Sequence, residues 1–342
     1  MKALIKLTIV TILLILIYLF MPLPSDRLLY IPPQKDSQKY LALKLQNTPF
    51  NALDYYLLSK YKEFKSGWIR LKPWVNRYTI YKKILSNKRE KTRIMVMYGG
   101  NSVENFIQKI SKQANLDSKK LLEFYNKVVT YGNGGIVARR YKIPYKTTEQ
   151  STISYIIYKS YTILKKVADF YGVDIDSKQF KDALIVASII QKETNYKREM
   201  PLIASVIYNR LNRGLKLQMD ATLNYGKYSH IPVTPKRIRE DNSKYNTYKF
   251  KGLPPKPLCA VTISALSAAL KPAKTNYLYF VKKGNRHIFS TNYNTHKIKV
   301  KEYKTRVMVH KKLKKVSKIE FYIPSPIIRL DKNLGIIPQK RE

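Results

Sequence analysis

Apolar positions along the chain first form an unbroken run and then settle into helical and strand periods. Leu7 to Met21 is uncharged and apolar apart from Thr8, Thr11 and Tyr18. With Ala3 to Ile5 before it and Pro22 and Leu23 after it, the run is just long enough to span a bilayer. The following "YLFMPLPSDR" lacks the small-residue site of a cleaved signal peptide, so an uncleaved anchor over residues 1–24 is expected. Lys2 and Lys6 would keep the short end cytoplasmic, and the long remainder would translocate despite its charge.

Beyond the run, "LLYIP" and "WIRLK" read as strands and "TIYKKIL" as a helix, giving a mixed α/β segment over 25–90. Trp68 and Trp74 are expected as packing residues. "TRIMVMYGG" reads as a strand ending in a turn. Asn101 is positioned to cap the next helix, with Glu104 completing a capping box. Val103, Phe106, Ile107 and Ile110 then recur at helical spacing. Asp117 caps a second helix carrying Leu121, Leu122, Tyr125 and Val128. "GNGG" turns the chain, and "IVARRYKIP" returns as a strand. Strand, helix, helix, strand in about fifty residues resembles a LysM module, a small fold associated with glycan binding. With a helical connector at 150–172, this makes up the segment 91–172.

The pattern tightens over 173–303. "KDALIVASII" and "REMPLIASVIYNRLNRG" are helices. Pro201 suits the first turn of the second, and Gly214 is a helix-ending glycine. "TISALSAALKPA" is a helix stopped by Pro272. Tyr277–Val281 should pair with His287–Ser290 in a hairpin. The expected fold class is therefore α+β: an apolar N-terminal helix, the small βααβ module and a larger α+β domain. A basic extension, 304–342, follows.

Glu193 closes the greasy helix of "ALIVASIIQKET". Its i−3, i−4 and i−7 neighbours are Ile190, Ile189 and Val186, so the carboxylate lies on or at the rim of the apolar face. Partial desolvation and the negative end of the helix both favour its protonated form. A general acid for a glycosidic oxygen needs that state. The competing reading is a helix-end glutamate curling to water or pairing with Lys192 or Lys197. Just beyond the helical pair, "GLKLQMDATLNYG" sets Gln218, Asp220, Thr222 and Asn224 within seven positions. "KYNTYKFKGLPPKPL" adds a proline-stiffened loop with Tyr245 and Tyr248 as flat faces for sugar rings. Buried sugar hydroxyls need such polar partners.

These segments resemble the YceG-like family of endolytic murein transglycosylases. The matching stretches are "ASIIQKET", "VIYNRLNRGLKLQMDAT", "YNTYKFKGLPP", "AALKPAKTNYLYFV" and "HIFSTNYNTH", in the family's order over roughly 180–298. The resemblance implies a single-pass inner-membrane lyase whose extracytoplasmic body cleaves nascent peptidoglycan between N-acetylmuramic acid and N-acetylglucosamine. It would leave 1,6-anhydromuramyl ends and so terminate strands. It puts the catalytic acid on Glu193, with Asp220 as a candidate for electrostatic support. Asn209, Arg210, Gln218, Thr222, Tyr245, Asn246, His287 and Ser290 are candidates for substrate binding. Arg210 would face a stem-peptide carboxylate or Asp220. Two departures stand out: Gln191 occupies a position where many relatives carry Glu, and His296 is followed by Lys297 rather than Asn.

Composition changes this picture little. The formal charge is +43, from 65 Lys and Arg against 22 Asp and Glu. Such a charge attracts polyanions of any kind, and a broad lysine-rich bias produces it with no binding role. No nucleic-acid module is recognisable, and none is expected as partner. The expected partners are glycan strands, membrane lipid through the N-terminal helix, and peptidoglycan synthases. A single cysteine, Cys259, excludes an internal disulfide. The four histidines lack metal-motif spacing, so neither a metal nor a cofactor is expected. Two other readings compete: a non-catalytic peptidoglycan-binding scaffold of the same fold, and a polyanion-binding envelope protein.

Overall fold

The computed structural model describes residues 1–305 apart from 26–27, 38, 47–50, 62, 230, 285 and 303–304. Nearly all of the basic extension at 304–342 lies outside the described residues. The chain divides into two compact units, Met1–Leu278 and one beginning at Tyr279. Among the described residues helices outweigh strands, and every sheet is a two-stranded antiparallel pair, so the architecture is α+β.

The apolar run forms α1 (Lys2–Phe20). It has 19 residues, an 18-residue stretch of it has a mean hydropathy of 2.6, and none of its residues is buried in the protein. At 1.5 Å per residue it spans roughly 28 Å, enough by length and composition to cross a bilayer. Its C-terminal end is fixed to the body. The Tyr18 hydroxyl donates to the fully buried Asp54 at 2.7 Å. The same carboxylate receives Arg77 at 2.9 Å and Tyr81 at 2.6 Å. Phe20 stacks on Tyr78.

After α1, β1 (Leu23–Pro24) pairs with β4 (Trp74–Val75), and β2 (Leu28–Ile31) with β3 (Gly67–Arg70). Between them lie α2 (Lys39–Leu45) and α3 (Ala52–Tyr61), and α4 (Arg77–Leu85) follows. All four β2 residues are buried. Successive strand side chains face opposite ways, so β2 serves two cores. Leu29 and Ile31, with Ile69 of β3, join Tyr55, Leu58, Ile80 and Ile84 of α3 and α4. Leu28 and Tyr30, with Trp68, join the core of the following βααβ unit. Trp68 packs as expected, whereas Trp74 is exposed because its short edge strand has no layer over it.

That unit consists of β5 (Thr92–Val96), α5 (Val103–Ala114), α6 (Ser118–Val128) and β6 (Arg140–Pro144), with β5 and β6 antiparallel. The order is the one read from the sequence. The cap of α5 differs from the expectation: Ser102, not Asn101, accepts the Asn105 N–H at 3.2 Å. Asp117 caps α6 as expected. The segment taken for a connector is α7 (Glu149–Phe170), buried along most of its length. Its Ile153, Tyr155, Ile156, Ile157 and Tyr158 sit in the core shared with Tyr30, Trp68 and Tyr141.

The helices α8 (Lys178–Glu193), α9 (Met200–Asn212) and α11 (Ile263–Leu270) pack together. Ser177 caps α8, Pro201 lies in the first turn of α9, and Gly214 ends α9 in the left-handed region at φ +63°. A short α10 (Pro235–Glu240) lies in the loops between α9 and α11. In the second unit, β7 (Tyr279–Lys283) pairs with β8 (Arg286–Ser290), and residues 293–302 are helical.

Candidate active site

The apolar stripe of α8 runs through Phe180, Leu184, Ala187 and Ile190, and the helix stops at Glu193. Thr194 is extended, so its amide still reaches the Ile190 carbonyl while the chain turns away. Glu193 is half-buried at this terminus. Its neighbour Lys192 is spent elsewhere: the ammonium donates to the Ser229 hydroxyl at 2.6 Å and carbonyl at 3.1 Å. Burial lowers its pKa.

The loop after α9 is built around Thr247. Gln218 takes a left-handed backbone, φ +52°, and its amide donates to the Thr247 carbonyl. A non-glycine residue in that region carries strain that the surroundings must hold. The Met219 amide and the Thr222 hydroxyl both meet Thr247 Oγ1, at 3.2 and 2.9 Å. Asp220 then opens a one-turn 3-10 helix, Asp220–Leu223, which packs on α8. The Asp220 carboxylate is exposed and accepts the Tyr248 hydroxyl at 2.6 Å. The Tyr248 pKa is driven up first by burial, then by its bond to Asp220 and that charge, and then by the negative charge of Glu193; the Arg210 guanidinium opposes them. Glu193, Asp220, Tyr248 and Arg210 therefore share one electrostatic neighbourhood.

Several expected binding residues turn out to build this site rather than line it. Thr222 and Asn246 are completely buried. Thr222 donates to the Met219 carbonyl at 2.8 Å. The Asn246 amide donates to the Ile238 and Asp241 carbonyls, both at 2.8 Å, and accepts the Tyr248 N–H. Neither side chain reaches a solvent-borne strand here. Asn209 pins the Thr275 and Tyr277 carbonyls at 2.7 and 2.9 Å. Arg210 is also buried. It bonds the Lys216 and Leu278 carbonyls and holds the Gln218 side chain at 2.7 Å. Tyr245 stacks face to face on Tyr225, centroids 3.9 Å apart, so one of its flat faces is already covered. His287 and Ser290 belong to the second unit, where His287 meets Phe280 edge-on and Ser290 is buried.

The turn between β5 and α5 abuts α8. A Cβ on Gly99 would stand 2.7 Å from the Gln191 side chain. Gln191 is buried. Its Nε2 donates to Asn195, and its Oε1 accepts both the amide and hydroxyl of Thr262, the α11 cap. The Ala260 backbone bonds Gly100 and Asn101. Glu104 of α5 helps raise the Tyr245 pKa, after burial and Tyr225, so the βααβ unit reaches the rim of the site. Residues not singled out from the sequence include Thr247, Tyr225 and Ser188, whose hydroxyl accepts the Leu258 amide at 2.9 Å. Single hydroxyls, whether in a loop or on a helix, carry no pattern that would mark them.

The YceG-like family model matches residues 32–302, most of the chain. The chain belongs to the YceG-like family. It is 42% identical over 108 residues to the endolytic murein transglycosylase of Bacillus subtilis, 32% of this chain and 30% of that protein. It is 32% identical over 144 residues to the endolytic murein transglycosylase of Streptococcus pneumoniae, 40% of this chain and 26% of that protein. These matches thus span less than a third of the curated relatives' own length. The crystal structure of a YceG-like protein from Listeria monocytogenes superposes with a TM-score of 0.51 at 25% identity, covering 79% of this chain and 97% of that one. In this YceG-like chain, the amide of Gln191 fills a structural joint between α8, Thr262 and the Gly99 turn. The acidic group at the end of α8 is Glu193.

Proposed function

We propose that this YceG-like protein is a membrane-anchored endolytic lytic transglycosylase of peptidoglycan. The observation that carries the reading is a half-buried Glu193 at the end of α8, sharing a neighbourhood with the hydrogen-bonded Asp220–Tyr248 pair. The names of the relatives point to the same polymer. In the proposed reaction Glu193 protonates the oxygen between N-acetylmuramic acid and N-acetylglucosamine, and the C1–O bond breaks. Glu193 then takes the proton of the muramyl C6 hydroxyl, and O6 closes on C1 to give the 1,6-anhydro end. One carboxylate serves as acid and then base, and no water is consumed. This differs from the usual paired-carboxylate hydrolases. Asp220, oriented by Tyr248, stabilises the positive charge that develops near C1. Arg210 acts as a positioning residue through Gln218. The LysM-like βααβ unit holds the strand beside the site, an assignment supported by Glu104 lying close enough to influence Tyr245. The α1 helix anchors the enzyme in the inner membrane with its body outside the cytoplasm, where synthases release nascent strands.

The test compares the full chain in detergent with Glu193→Gln on long uncrosslinked glycan strands, products read by mass spectrometry. Anhydro ends are expected from the wild type, and the variant should be slower by about 10²- to 10⁴-fold. Reducing ends, one water heavier, would defeat the cyclisation. Strand binding without cleavage by either protein would establish the scaffold instead.

A further inference from the structure

A cavity of about 490 Å³ lies in the N-terminal part of the first unit, away from Glu193, between β3, α4 and the segment after α4. Five cations line it, Arg70, Lys72, Lys83, Lys88 and Arg89, against one carboxylate, Glu90. That carboxylate is already engaged by Arg70 at 3.2 Å, so the wall keeps an excess of four positive charges. Two of the cations are built into the wall. Arg89 donates to the Lys65, Lys88 and Ile84 carbonyls, and Lys83 donates to the Arg70 carbonyl. Lys72 and Lys88 are exposed, and their ammonium groups bond no described residue. Like charges gathered around a concave space repel one another unless an anion enters.

The position of the cavity says which anion. Lys72 adjoins the strand pair through which the chain leaves α1: the Ser25 hydroxyl donates to the Lys72 carbonyl at 2.8 Å, and the Ser25 amide to the Pro73 carbonyl. Lys83 lies on α4, whose first residues hold the end of α1 through the Asp54 cluster and the Phe20–Tyr78 stack. From Arg77 to Lys83 is about 9 Å along that helix. With α1 inserted, this places the cavity within reach of the headgroup layer.

We propose that this cavity binds a phosphate anion, presented by the headgroup of an anionic phospholipid in the leaflet that α1 enters. The proposal rests on α1 being the membrane anchor. Arg89 is the preset, half-buried part of the wall, Lys83 is held at the exposed rim by its bond to the Arg70 carbonyl, and Lys72 and Lys88 close on the phosphate beside it. The bound headgroup fixes the height and tilt of the body over the membrane, which a single helix leaves free.

The experiment uses the full chain in uncharged detergent micelles, with bound lipid counted by native mass spectrometry. Phosphatidylglycerol, phosphatidylcholine and soluble glycerol phosphate are titrated separately. Replacing Lys72, Lys83 and Lys88 by Gln should weaken phosphatidylglycerol binding by at least about tenfold, since each cation removed near the surface loses about fivefold. The corresponding Arg triple should keep it. So should Lys112→Gln/Lys119→Gln/Lys120→Gln, which removes the same charge elsewhere. Equal losses in the two Gln triples, or equal binding of the two lipids, would overturn the proposal. Glycerol phosphate competing as well as the lipid would make the ligand a free phosphate and overturn the lipid source. Alkaline carbonate extraction tests the anchor on its own. Extraction of the chain would defeat the anchor and the lipid source with it, while glycerol phosphate binding lost only in the pocket triple would still assign a phosphate site.

Discussion

At the scale of single residues, the site turns on who donates to whom. Tyr248 is kept protonated by burial and by two nearby carboxylates, so its hydroxyl can only give its proton to Asp220. Tyr248→Phe removes that donor with little change in volume. A hydrogen bond to a charged group contributes about 1.5–3 kcal/mol, so turnover is expected to fall by about 10- to 100-fold at unchanged strand affinity. A variant that loses thermal stability but keeps its turnover would show that Tyr248 only packs. The position of Glu193 was legible in the sequence because a helical period places it against Ile189, Ile190 and Val186, and it is half-buried at the end of α8, whereas the role proposed for it came from the family resemblance. Thr222 and Asn246 misled for a physical reason. A polar residue in a loop looks like a ligand contact, yet buried backbone must be satisfied too, and here both side chains do that work. Tyr248 was visible as an aromatic face, but its partner Asp220 lies 28 residues away, a pairing no local pattern encodes.

At the scale of elements, α8, α9 and α11 followed from periodicity and stops, and the β5–β6 return and the β7–β8 hairpin were foreseen, the latter with its first strand two residues early, whereas the β1–β4 and β2–β3 pairings were not read. The connector expected over 150–172 is helical, as α7, but its half-polar "STISYIIYKSY" gave no sign of how deeply it is buried. In the fold most of its buried hydroxyls are satisfied internally, Thr162 excepted. Ser160 donates to the Ile156 carbonyl and meets Tyr141, Ser154 donates to the Leu45 carbonyl, and Tyr158 donates to Asp36. Once paired, Ser and Tyr tolerate a core as well as apolar residues do. The contact of α8 with the segment before α11 makes a separate prediction. Cys259 is buried there, its thiol directed at the Ser188 carbonyl, and burial pushes its pKa up to about 12. A thiol reagent at pH 8 should leave it unmodified in the native protein and label it fully in concentrated guanidinium. Prompt native labelling would mean that this segment opens readily.

At the scale of the whole molecule, stability should depend on pH through Lys159. It lies over the rings of Tyr30 and Tyr158 in the shared core. Burial, then the Arg139 charge, lowers its pKa to about 8, with Asp36 opposing and Lys166 adding a little. In the unfolded chain a lysine titrates near about 10.4. Between these values the unfolded state binds more protons at this lysine, so the contribution of Lys159 to stability rises as pH climbs from about 8 to about 10. Lys159→Met should flatten that slope in thermal melts, and an unchanged slope would assign it to other groups. The double-sided β2 strand has a consequence for how the chain is made. The Leu28 carbonyl receives the Ser151 hydroxyl from 123 residues downstream. At about 5–20 residues per second, the partner emerges on the order of ten seconds after the strand. Until then the Leu28 and Tyr30 face of the strand waits uncovered, although α3 and α4, which cover its other face, have already emerged, and a holding chaperone at the exit site would find its client there.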